Sequence, residues 1–488
     1  MPIVVVVAVP LLAAAVSGLA GWRPWVGWVG VAAAGGVTAG SVWIAVRVLD
    51  GGPVSGLEGL LRADALSAFW LVVIGVVAVL ATWFGVGYIA AELADGHTTA
   101  SGARVYSSLV QLFLAAMVLA VIANNLGVMW VAVEATTIAT AFLVGHRRTK
   151  ASLEASWKYV VVGSVGVGLA FLGTVLVYFA SSHAAGGGHA TLNWTGLVAA
   201  APRLDRHVMR LAAGLLVLGF GTKVGLAPMH TWLPDAHSQA PAPVSALMSG
   251  VLLSVAFYAL LRYKVIVDAA LGRGFMKGLL VAVGLLSLGV AASLLIAQRD
   301  YKRLLAYSSI EHMGLLAVGA AAGSPLAIAA VLLHVAGHGL GKTVLFLGSG
   351  EILRTEGTTQ IAGVRGLLAR RPVIGATFGL GLLALLGLPP FSLFASEVGI
   401  ARAGFAGGLG WAVTVALVLA LVVFAAVVVH GQQMLLGEAS ATGERHPTSM
   451  ATAAPLVAGL VLCTALGVTV WPIDRLLHAA AAVAAGAR

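Results

Sequence analysis

Apolar runs long enough to cross a bilayer recur from one end of this chain to the other, and they constrain its fold more than any other feature. A transmembrane helix needs about 20 mostly apolar residues to cross a hydrocarbon core of about 30 Å. Only 9% of the residues are charged, whereas a soluble domain carries about 25%. So few charged side chains cannot cover a surface that faces water. The sequence therefore predicts an all-α protein that crosses the membrane many times.

The breaks between the apolar runs predict about 14 transmembrane helices. The connections are mostly too short to fold by themselves, so residues 1–488 are expected to form a single membrane domain. The first run lacks a basic segment before it and is interpreted as a span rather than a removable signal peptide. In chain order, the predicted spans are 3–20, 27–49, 65–90, 105–123, 126–145, 158–181, 209–226, 238–262, 277–298, 304–322, 325–350, 373–404, 409–432 and 451–471.

The formal net charge is +10, and the basic residues are concentrated in short loops between spans. An excess of Lys and Arg is typical of cytoplasmic loops, and no basic run is interleaved with aromatic residues, so nucleic acid is not expected as a partner. The loops at 146–150, 298–303 and 365–371 fall on one side if the spans alternate. That side is predicted to be cytoplasmic, which puts both termini outside. The loop at 262–277 disagrees, because it carries four basic residues on the outer side.

Two predicted spans are expected to be broken. The twelfth would be about 48 Å long as one helix, and it contains Pro389-Pro390 in its middle. Proline removes a backbone donor and clashes with the preceding turn. The eighth span begins at Pro241-Ala242-Pro243, after a polar segment. Paired broken helices within a membrane are typical of a transport site at the midplane.

Two lysines lie within predicted spans, where an ionisable side chain indicates function. Lys223 lies about 20 Å into the seventh span, which argues against a side chain that only reaches to the interface. His334, His338 and Lys342 recur at every fourth residue of the eleventh span and therefore share one helix face. Three titratable groups in a row predict a proton relay. A metal site is the weaker interpretation, because lysine is a poor ligand and no carboxylate or cysteine completes the set.

Two carboxylates join these residues as candidates for carrying protons. Glu134 lies near the middle of the fifth span and is expected to be protonated unless a cation pairs with it. A lysine such as Lys223 is the expected partner, and a purely structural ion pair is the alternative. Glu397 follows the proline break of the twelfth span, where a carboxylate could meet water. Its alternative is a position at the membrane interface.

Five further titratable residues are possible accessory groups. Lys158 stands at the head of the sixth span, where it could equally reach to the interface. His230 and His237 flank the segment Trp-Leu-Pro-Asp and are expected at the cytoplasmic mouth, as proton-entry groups or as ordinary loop residues. Glu311 and His312 are adjacent within the tenth span and are expected to point to different faces, so that at most one faces a given pathway.

The sequence contains no recognisable motif for binding a redox cofactor. It contains one cysteine, Cys463, and so neither an internal disulfide nor a C-x-x-C motif. No nucleophile–base set, metal-ligand motif or glycine-rich phosphate loop is recognisable. No cofactor is therefore expected, and any electron carriers are expected in partner subunits.

Four motifs together resemble the proton-translocating antiporter-like subunits of respiratory complex I, multi-subunit sodium/proton antiporters and group 4 nickel–iron hydrogenases. The resemblance covers nearly the whole chain, and the long lysine-containing motif is highly specific. The segments 308–314 and 388–397 are most similar to the hydrogenase-4 component F type. The four motifs are KVGLAPMHTWLPDAHSQAPAP at 223–243, Trp130-x-x-x-Glu134, KRLLAYSS at 302–309 and His334-x-x-x-His338-x-x-x-Lys342.

The resemblance implies two inverted five-helix repeats, at 105–262 and 277–432, in a prokaryotic plasma membrane. It implies that Glu134 and Lys223 form a coupled pair, with a central relay on the eleventh span and Glu397 as the terminal group. Other membrane subunits and a peripheral redox arm are the implied partners. Relatives often place a His or Lys in the eighth span, whereas this chain has Ser249 and Ser254. The link from Lys223 to Lys342 is therefore expected to use water.

Three functions remain open at this point. The first is proton translocation as a subunit of a redox complex, in which movement or neutralisation of Glu134 would favour proton release from Lys223. The second is a subunit of a multi-subunit sodium/proton antiporter. The third is a structural membrane anchor that does not pump.

Overall fold

The computed structural model describes residues 2–184, 191–436, 448–471 and 473–486, and nearly all of them are helical. A short antiparallel hairpin pairs β1 (Val54–Gly56) with β2 (Leu61–Ala63). The first helices are α1 (Pro2–Ala20), α2 (Pro24–Gly51), α3 (Ala65–Ala94), α4 (Ala100–Ile122), α5 (Leu126–Val144), α6 (Lys150–Ala184), α7 (Trp194–Ala200), α8 (Arg206–Val224), α9 (Trp232–Gln239) and α10 (Ala242–Leu247). The later helices are α11 (Leu253–Leu271), α12 (Arg273–Ile296), α13 (Tyr301–Ala322), α14 (Pro325–Glu356), α15 (Leu367–Arg370), α16 (Pro372–Leu385), α17 (Ser392–Ala406), α18 (Gly410–Leu436), α19 (Met450–Val468) and α20 (Asp474–Ala484).

The predicted all-α membrane fold with many spans is confirmed. In the described part of the chain, 13 helices are long and apolar enough to cross a membrane. The shorter α16 and α17 follow each other closely and together occupy the place of one more span. The spans that contain α10–α11 and α14 are entirely buried by their neighbours over their most apolar stretch. These two spans therefore form the centre of the molecule.

In the eighth span, the helix is interrupted at Pro241, as predicted, because α9 ends at Gln239 and α10 begins at Ala242. A second discontinuity, which the sequence did not predict, lies at the end of the seventh span. Gly225 adopts a φ of +86° and ends α8 immediately after Lys223 and Val224. The indole Nε1 of Trp232 in α9 donates a 2.8 Å hydrogen bond to the carbonyl of Thr222. A helix end at membrane depth needs such a donor, because its last carbonyls have no partner within the helix.

The eighth span itself runs without interruption from α10 to α11 through a π-helical turn at Met248–Leu252. Pro243 lies within the first turn of α10. A proline there starts a helix instead of breaking one, because the first backbone N–H groups lack partners in any case. Single π-helical turns within helices are rare and are frequently found at functional sites.

The predicted break in the twelfth span is confirmed. α16 ends at Leu385, and α17 begins at Ser392. Gly387 in the connection has a φ of +61°, a conformation that only glycine adopts at low cost. A Cβ atom at this glycine would lie 2.4 Å from Glu397 Oε2. The break therefore leaves room for a carboxylate inside the bundle.

Two residues of the basic loop that contradicted the orientation pattern do not lie in a loop. Arg262 and Lys264 are buried within α11, with exposed fractions of 4% each. Arg262 forms a salt bridge with Asp64, and Lys264 forms one with Asp268. Since both charges are compensated inside the protein, they do not belong in a count of loop charges.

Glycine allows two pairs of spans to approach at backbone distance. A Cβ atom on Gly284 of α12 would lie 2.8 Å from the Gly314 carbonyl of α13. A Cβ atom on Gly339 of α14 would lie 2.9 Å from the carbonyl of Gly250 in the π-helical turn. Small residues at such crossings are typical of helix packing in membranes.

Candidate functional site

The first buried cluster surrounds Lys223 at the end of α8. This lysine is fully buried, and its Nζ donates to Thr137 Oγ1 at 2.8 Å and to the Tyr159 hydroxyl. The Thr137 hydroxyl in turn donates to Glu134 Oε2 at 3.1 Å. The structure thus brings the predicted Glu134–Lys223 pair together, with one hydroxyl group between the carboxylate and the ammonium.

Aromatic rings supply the rest of the Lys223 environment. The Nζ atom lies 4.5 Å from the centre of the Tyr159 ring and 5.9 Å from that of Trp232. The Tyr159 hydroxyl also lies 2.7 Å from Thr140 Oγ1. A desolvated cation over an aromatic face gains about 2 kcal/mol, far less than full hydration would give it. The rings and hydroxyl groups can accommodate the charged ammonium group, but they do not hold the lysine permanently in its protonated form.

The second buried cluster begins at Lys342 in α14. This lysine is also fully buried, and its Nζ donates to the Leu305 carbonyl at 2.6 Å and to Ser308 Oγ at 2.5 Å. Both partners lie in α13. They are neutral, so here too the lysine is solvated by dipoles and not by a carboxylate.

Three histidines form a compact group beside Lys342. His334 and His338 are on α14, as the sequence spacing predicts, and their rings stack with centres 6.5 Å apart. His312 of α13 joins them, with its Nδ1 3.0 Å from His334 Nε2. The other ring nitrogen of His334 lies 3.0 Å from Ser396 Oγ of α17. All three histidines are buried to within 1% exposure.

Glu311 and His312 both reach one cavity, contrary to the expectation that at most one of them faces a given pathway. This cavity of about 190 Å³ is also lined by Glu397 and Ser308. His312 Nε2 lies 3.4 Å from Glu311 Oε2. Neighbouring residues on a helix point about 100° apart, but this cavity extends far enough around α13 to reach both. Apolar side chains of α18, including Leu421, line its opposite wall.

His237 does not lie at a mouth of the protein, as the sequence suggested, because it is fully buried. Its ring centre is 6.0 Å from that of Trp232, which also contacts Lys223, and 5.7 Å from that of Phe346. Phe346 lies one helical turn after Lys342. Neither ring nitrogen of His237 has a hydrogen-bond partner among the described residues. This histidine therefore lies between the two lysine clusters.

The remaining accessory candidates lie nearer the surface. Lys158 is half-exposed and forms salt bridges with Glu154 at 2.7 Å and Asp235 at 3.2 Å. Asp235 also pairs with Arg303 at 3.0 Å. His230 is half-buried in the connection between α8 and α9. None of these side chains joins either buried cluster.

The two serines of the eighth span, Ser249 and Ser254, are both buried. Ser249 Oγ lies 2.8 Å from Ser309 Oγ, so a pair of hydroxyls links the π-helical turn to α13. Ser254 donates to the carbonyl of Val251 within its own helix. Of the two, only Ser249 contacts a helix of the second cluster through its hydroxyl.

Sequence reasoning missed the hydroxyl groups that hold the lysines. These are Thr137, Tyr159 and Ser308, which come from α5, α6 and α13. Thr137 follows Glu134 by three residues and is polar within an apolar run, which is a usable signal. Tyr159 carries no such signal, because an isolated Tyr is common in membrane helices, and Ser308 was part of a recognised motif without a role assigned to it.

Residues 123–423, more than half of the chain, match the family described as NADH:quinone oxidoreductase/Mrp antiporter, TM. The chain is 42% identical to the hydrogenase-4 component F homolog of Methylacidiphilum infernorum (isolate V4) over 346 residues, which cover 70% of this chain and 72% of that protein. It is 32% identical to hydrogenase-4 component B of Escherichia coli (strain K12) over 349 residues, 69% of this chain but only 50% of that protein. The chain thus spans about half the length of that second relative.

The fold also matches a chain of the membrane-bound sulfane sulfur reductase, an archaeal respiratory membrane complex. The TM-score is 0.89 at 24% sequence identity, over 100% of this chain and 98% of the other. At this identity the match concerns the fold alone. Together with the family match and the component F homolog, it leads to one conclusion: this chain belongs to the NADH:quinone oxidoreductase/Mrp antiporter transmembrane family.

Proposed function

We propose that this chain is the proton-translocating, antiporter-like subunit of a membrane-bound redox complex of the hydrogenase-4 and complex I type. Its relatives' names support the assignment to such complexes. Other membrane subunits and a peripheral arm that carries the redox centres are its expected partners. In this assignment the chain moves protons, and the partners carry out electron transfer.

The observation that carries the proposal is the pair of fully buried lysines without a carboxylate partner. Lys223 and Lys342 have exposed fractions of 0%. In the part of the chain that the structure describes, neither Nζ lies within 4.0 Å of a carboxylate oxygen, and hydroxyl and carbonyl groups supply the contacts. Burial of an unpaired ammonium group costs several kcal/mol. Such lysines readily release a proton, which a structural lysine has no reason to do.

The first step of transfer takes place at Lys223. Glu134 acts on the lysine through Thr137, so protonation or displacement of that carboxylate would withdraw the negative charge that favours the ammonium form. The lysine would then release its proton. The Tyr159 and Thr137 hydroxyls accept hydrogen bonds from Nζ and are the first groups that the proton meets.

The second step crosses from the first cluster to the second. His237 lies between them, and its two buried, unpartnered nitrogens are suited to bind water and to exchange a proton with it. His338 also has two buried nitrogens without a partner among the described side chains. Water between these histidines would complete the link to Lys342 that the serines of the eighth span do not supply.

The final step reaches Glu397 at the break between α16 and α17. His334 and His312 are in hydrogen-bond contact, and both Glu311 and Glu397 line the adjoining cavity. A cavity of about 190 Å³ has room for several waters. Glu397 would release the proton there, on the side of the molecule covered by α18.

The positions of the two helix breaks support the inverted repeats at 105–262 and 277–432. The break between α8 and α9 falls in the fourth span of the first unit, and that between α16 and α17 in the fourth span of the second. Lys223 and Glu397 each lie beside one of these breaks. Corresponding broken helices that flank a transport route are typical of inverted repeats.

The termini are proposed to lie on the outer side of the membrane. The basic loop at 298–303 contacts two other connections, since Asp300 forms a β-bridge with Gln360 of the connection that leads to the loop at 365–371, and Arg303 pairs with Asp235. A cluster of basic loops at one end favours the cytoplasm on that side. With an even number of spans, both termini then face outward.

The substitution Lys223→Ala in the assembled complex tests the proposal. We expect redox activity with proton translocation reduced about 100-fold or more, because a positioned proton carrier contributes about 10²- to 10⁴-fold. The matched control is Lys158→Ala, which removes a half-exposed lysine and should leave translocation unchanged. Full translocation by an assembled Lys223→Ala complex would contradict the proposal.

The family also includes Mrp antiporters, so exchange of sodium for protons is the second candidate. It differs from the first in its partners and its energy source. Purification of the native complex decides between them. A soluble subunit with redox centres supports the first function, whereas sodium-driven exchange by a complex without such a subunit supports the second.

A further inference from the structure

His312, His334 and Glu397 come from three different helices and present ligand atoms to one point. One nitrogen of each histidine and one oxygen of the carboxylate all lie within 4.8 Å of one another. The sequence argued against a metal because no carboxylate accompanied the histidines of the eleventh span. The fold supplies that carboxylate, Glu397, from α17. The candidate ligands are therefore His334, Glu397 and His312 of α13, and they do not include His338 or Lys342.

The two histidine nitrogens that face each other are suited to share a cation. They are His312 Nδ1 and His334 Nε2, 3.0 Å apart. Two nitrogens bound to one zinc ion at about 2.0–2.1 Å and at a tetrahedral angle lie about 3.3 Å apart. A change of a few tenths of an ångström therefore converts the hydrogen-bonded pair into a pair of ligands.

One of the two opposite ring nitrogens already has the partner that metal-binding histidines need, and the other has a carboxylate within reach but not yet in hydrogen-bond geometry. His334 Nδ1 lies 3.0 Å from Ser396 Oγ, and His312 Nε2 lies 3.4 Å from Glu311 Oε2. Metal-ligating histidines almost always direct their second nitrogen to such an oxygen, which fixes the ring and makes the other nitrogen a better ligand. The two facing nitrogens now share one proton in their hydrogen bond, and a metal ion that bound to both would displace that proton.

The carboxylate and the cavity complete the site. Glu397 lines the cavity of about 190 Å³ with His312. Its carboxylate packs against Gly387, in space that a Cβ atom would fill. Two histidines, one carboxylate and an open position for water form a ligand set that zinc occupies in many proteins.

We propose that His312, His334 and Glu397 form a binding site for a divalent transition-metal cation, with Zn²⁺ as the preferred ion. Binding itself does not depend on the proposed function. Its consequence does: because a bound cation occupies the lone pairs that would otherwise accept protons, the metal blocks proton transfer between the histidines and Glu397. The site would make this chain a target of inhibition by zinc.

Cobalt binding to the purified, chelator-treated complex tests the site directly. Co²⁺ is the probe, because its visible d–d absorption reports coordination number and ligands, whereas Zn²⁺ is spectroscopically silent. We expect one Co²⁺ per copy of this chain, with the intense visible bands of a four- or five-coordinate ion, and displacement by Zn²⁺. The weak spectrum of six-coordinate, solvated Co²⁺ alone would overturn the proposal.

Variants of the complex assign the bound ion to these residues. His334→Gln and Glu397→Gln should each weaken Co²⁺ binding by tenfold or more, and Ser396→Ala by about tenfold through loss of ring orientation. The control is His207→Gln, which changes an exposed histidine and should leave the spectrum and affinity unchanged. An unchanged cobalt spectrum in both His334→Gln and Glu397→Gln would place the ion elsewhere and contradict the proposal.

The failure of this inference can be told apart from that of the proposed function. If Lys223→Ala abolishes translocation but the parent complex binds no cobalt in this manner, only the metal site is wrong. If cobalt binds as expected but Lys223→Ala translocates normally, the site stands and the transport assignment fails. Should a variant not assemble, the Ser396→Ala variant, which keeps all three ligands, decides the assignment of the ion.

Discussion

The protein buries positive charge in two very different ways. In α11, Arg262 forms two hydrogen bonds of 2.6 and 2.7 Å with the carboxylate of Asp64 and also contacts Ser67 and Tyr258. In α14, Lys342 is at least as deeply buried, yet its hydrogen bonds to described residues go to one hydroxyl and one carbonyl. The guanidinium group keeps its charge by its own chemistry, and Asp64 compensates that charge, whereas Lys342 has no such compensation among the described residues. Burial alone therefore does not distinguish a compensated structural charge from a candidate proton carrier; the partners of the buried group must be considered as well.

The largest expected effect comes from breaking the compensated pair. Arg262→Met leaves Asp64 buried without its cation, and we expect a loss of about 3–5 kcal/mol in the free energy of unfolding. The amount of assembled protein and its thermal unfolding in detergent measure this loss. The double variant Asp64→Leu/Arg262→Met removes both charges and should recover most of the stability. No recovery would mean that the pair has a role beyond charge compensation.

The opposite pattern is expected at the uncompensated lysine. Lys342→Met keeps the volume but removes the titratable group, so we expect translocation to fall about 100-fold or more while stability is retained. Translocation in inverted vesicles and unfolding of the purified complex measure the two quantities. If Lys342→Met lowered stability as much as Arg262→Met and still translocated protons, the proposed difference between the two buried charges would be wrong.

A smaller effect is expected between the clusters, at His237. His237→Phe fills the same space with a ring that neither binds water nor carries a proton, and we expect translocation to fall about tenfold or more. His237→Gln keeps a side chain that can hydrogen-bond to water, so translocation should fall less in this variant than in the Phe variant. Equal translocation by the parent and the Phe variant would show that the route bypasses this histidine.

The smallest effect is expected at Tyr159. Tyr159→Phe removes the hydroxyl that accepts a hydrogen bond from Lys223 but keeps the aromatic ring beside it. Since one hydrogen bond contributes about 0.5–1.5 kcal/mol, we expect a change of about two- to tenfold in translocation, with a shifted pH dependence. The control is Tyr178→Phe, which alters a tyrosine exposed on the outer face of the same helix.

Much of the fold was predictable from the sequence, because the length of an apolar run directly reflects the thickness of the membrane. The buried lysines were predictable for a related reason, since an ionisable residue within such a run is conspicuous. The break at the end of α8 was not. Pro241 and Pro243 are the more visible signal, but they mark the interruption between α9 and α10, and the end of α8 depends on the conformation of Gly225.

The partners of the buried charges were also out of reach. Asp64 and Arg262 are separated by 198 positions in the chain, and the metal-binding arrangement combines residues of α13, α14 and α17. Local periodicity shows which face of a helix a residue occupies, but it does not show which helix lies opposite. Arg262 was accordingly counted as a loop charge, and the metal interpretation was set aside for lack of a carboxylate.

The close crossing of Gly250 and Gly339 has a consequence for how a neighbouring subunit could communicate with this one. The eighth and eleventh spans touch through their backbones there, so neither can slide or rotate past the other without first moving apart. This crossing restricts the movement of α14 relative to the eighth span. We therefore expect a signal from a partner subunit to reach Lys342 as a change in electric field, side-chain rotamer or hydration rather than as a displacement of α14 along the eighth span.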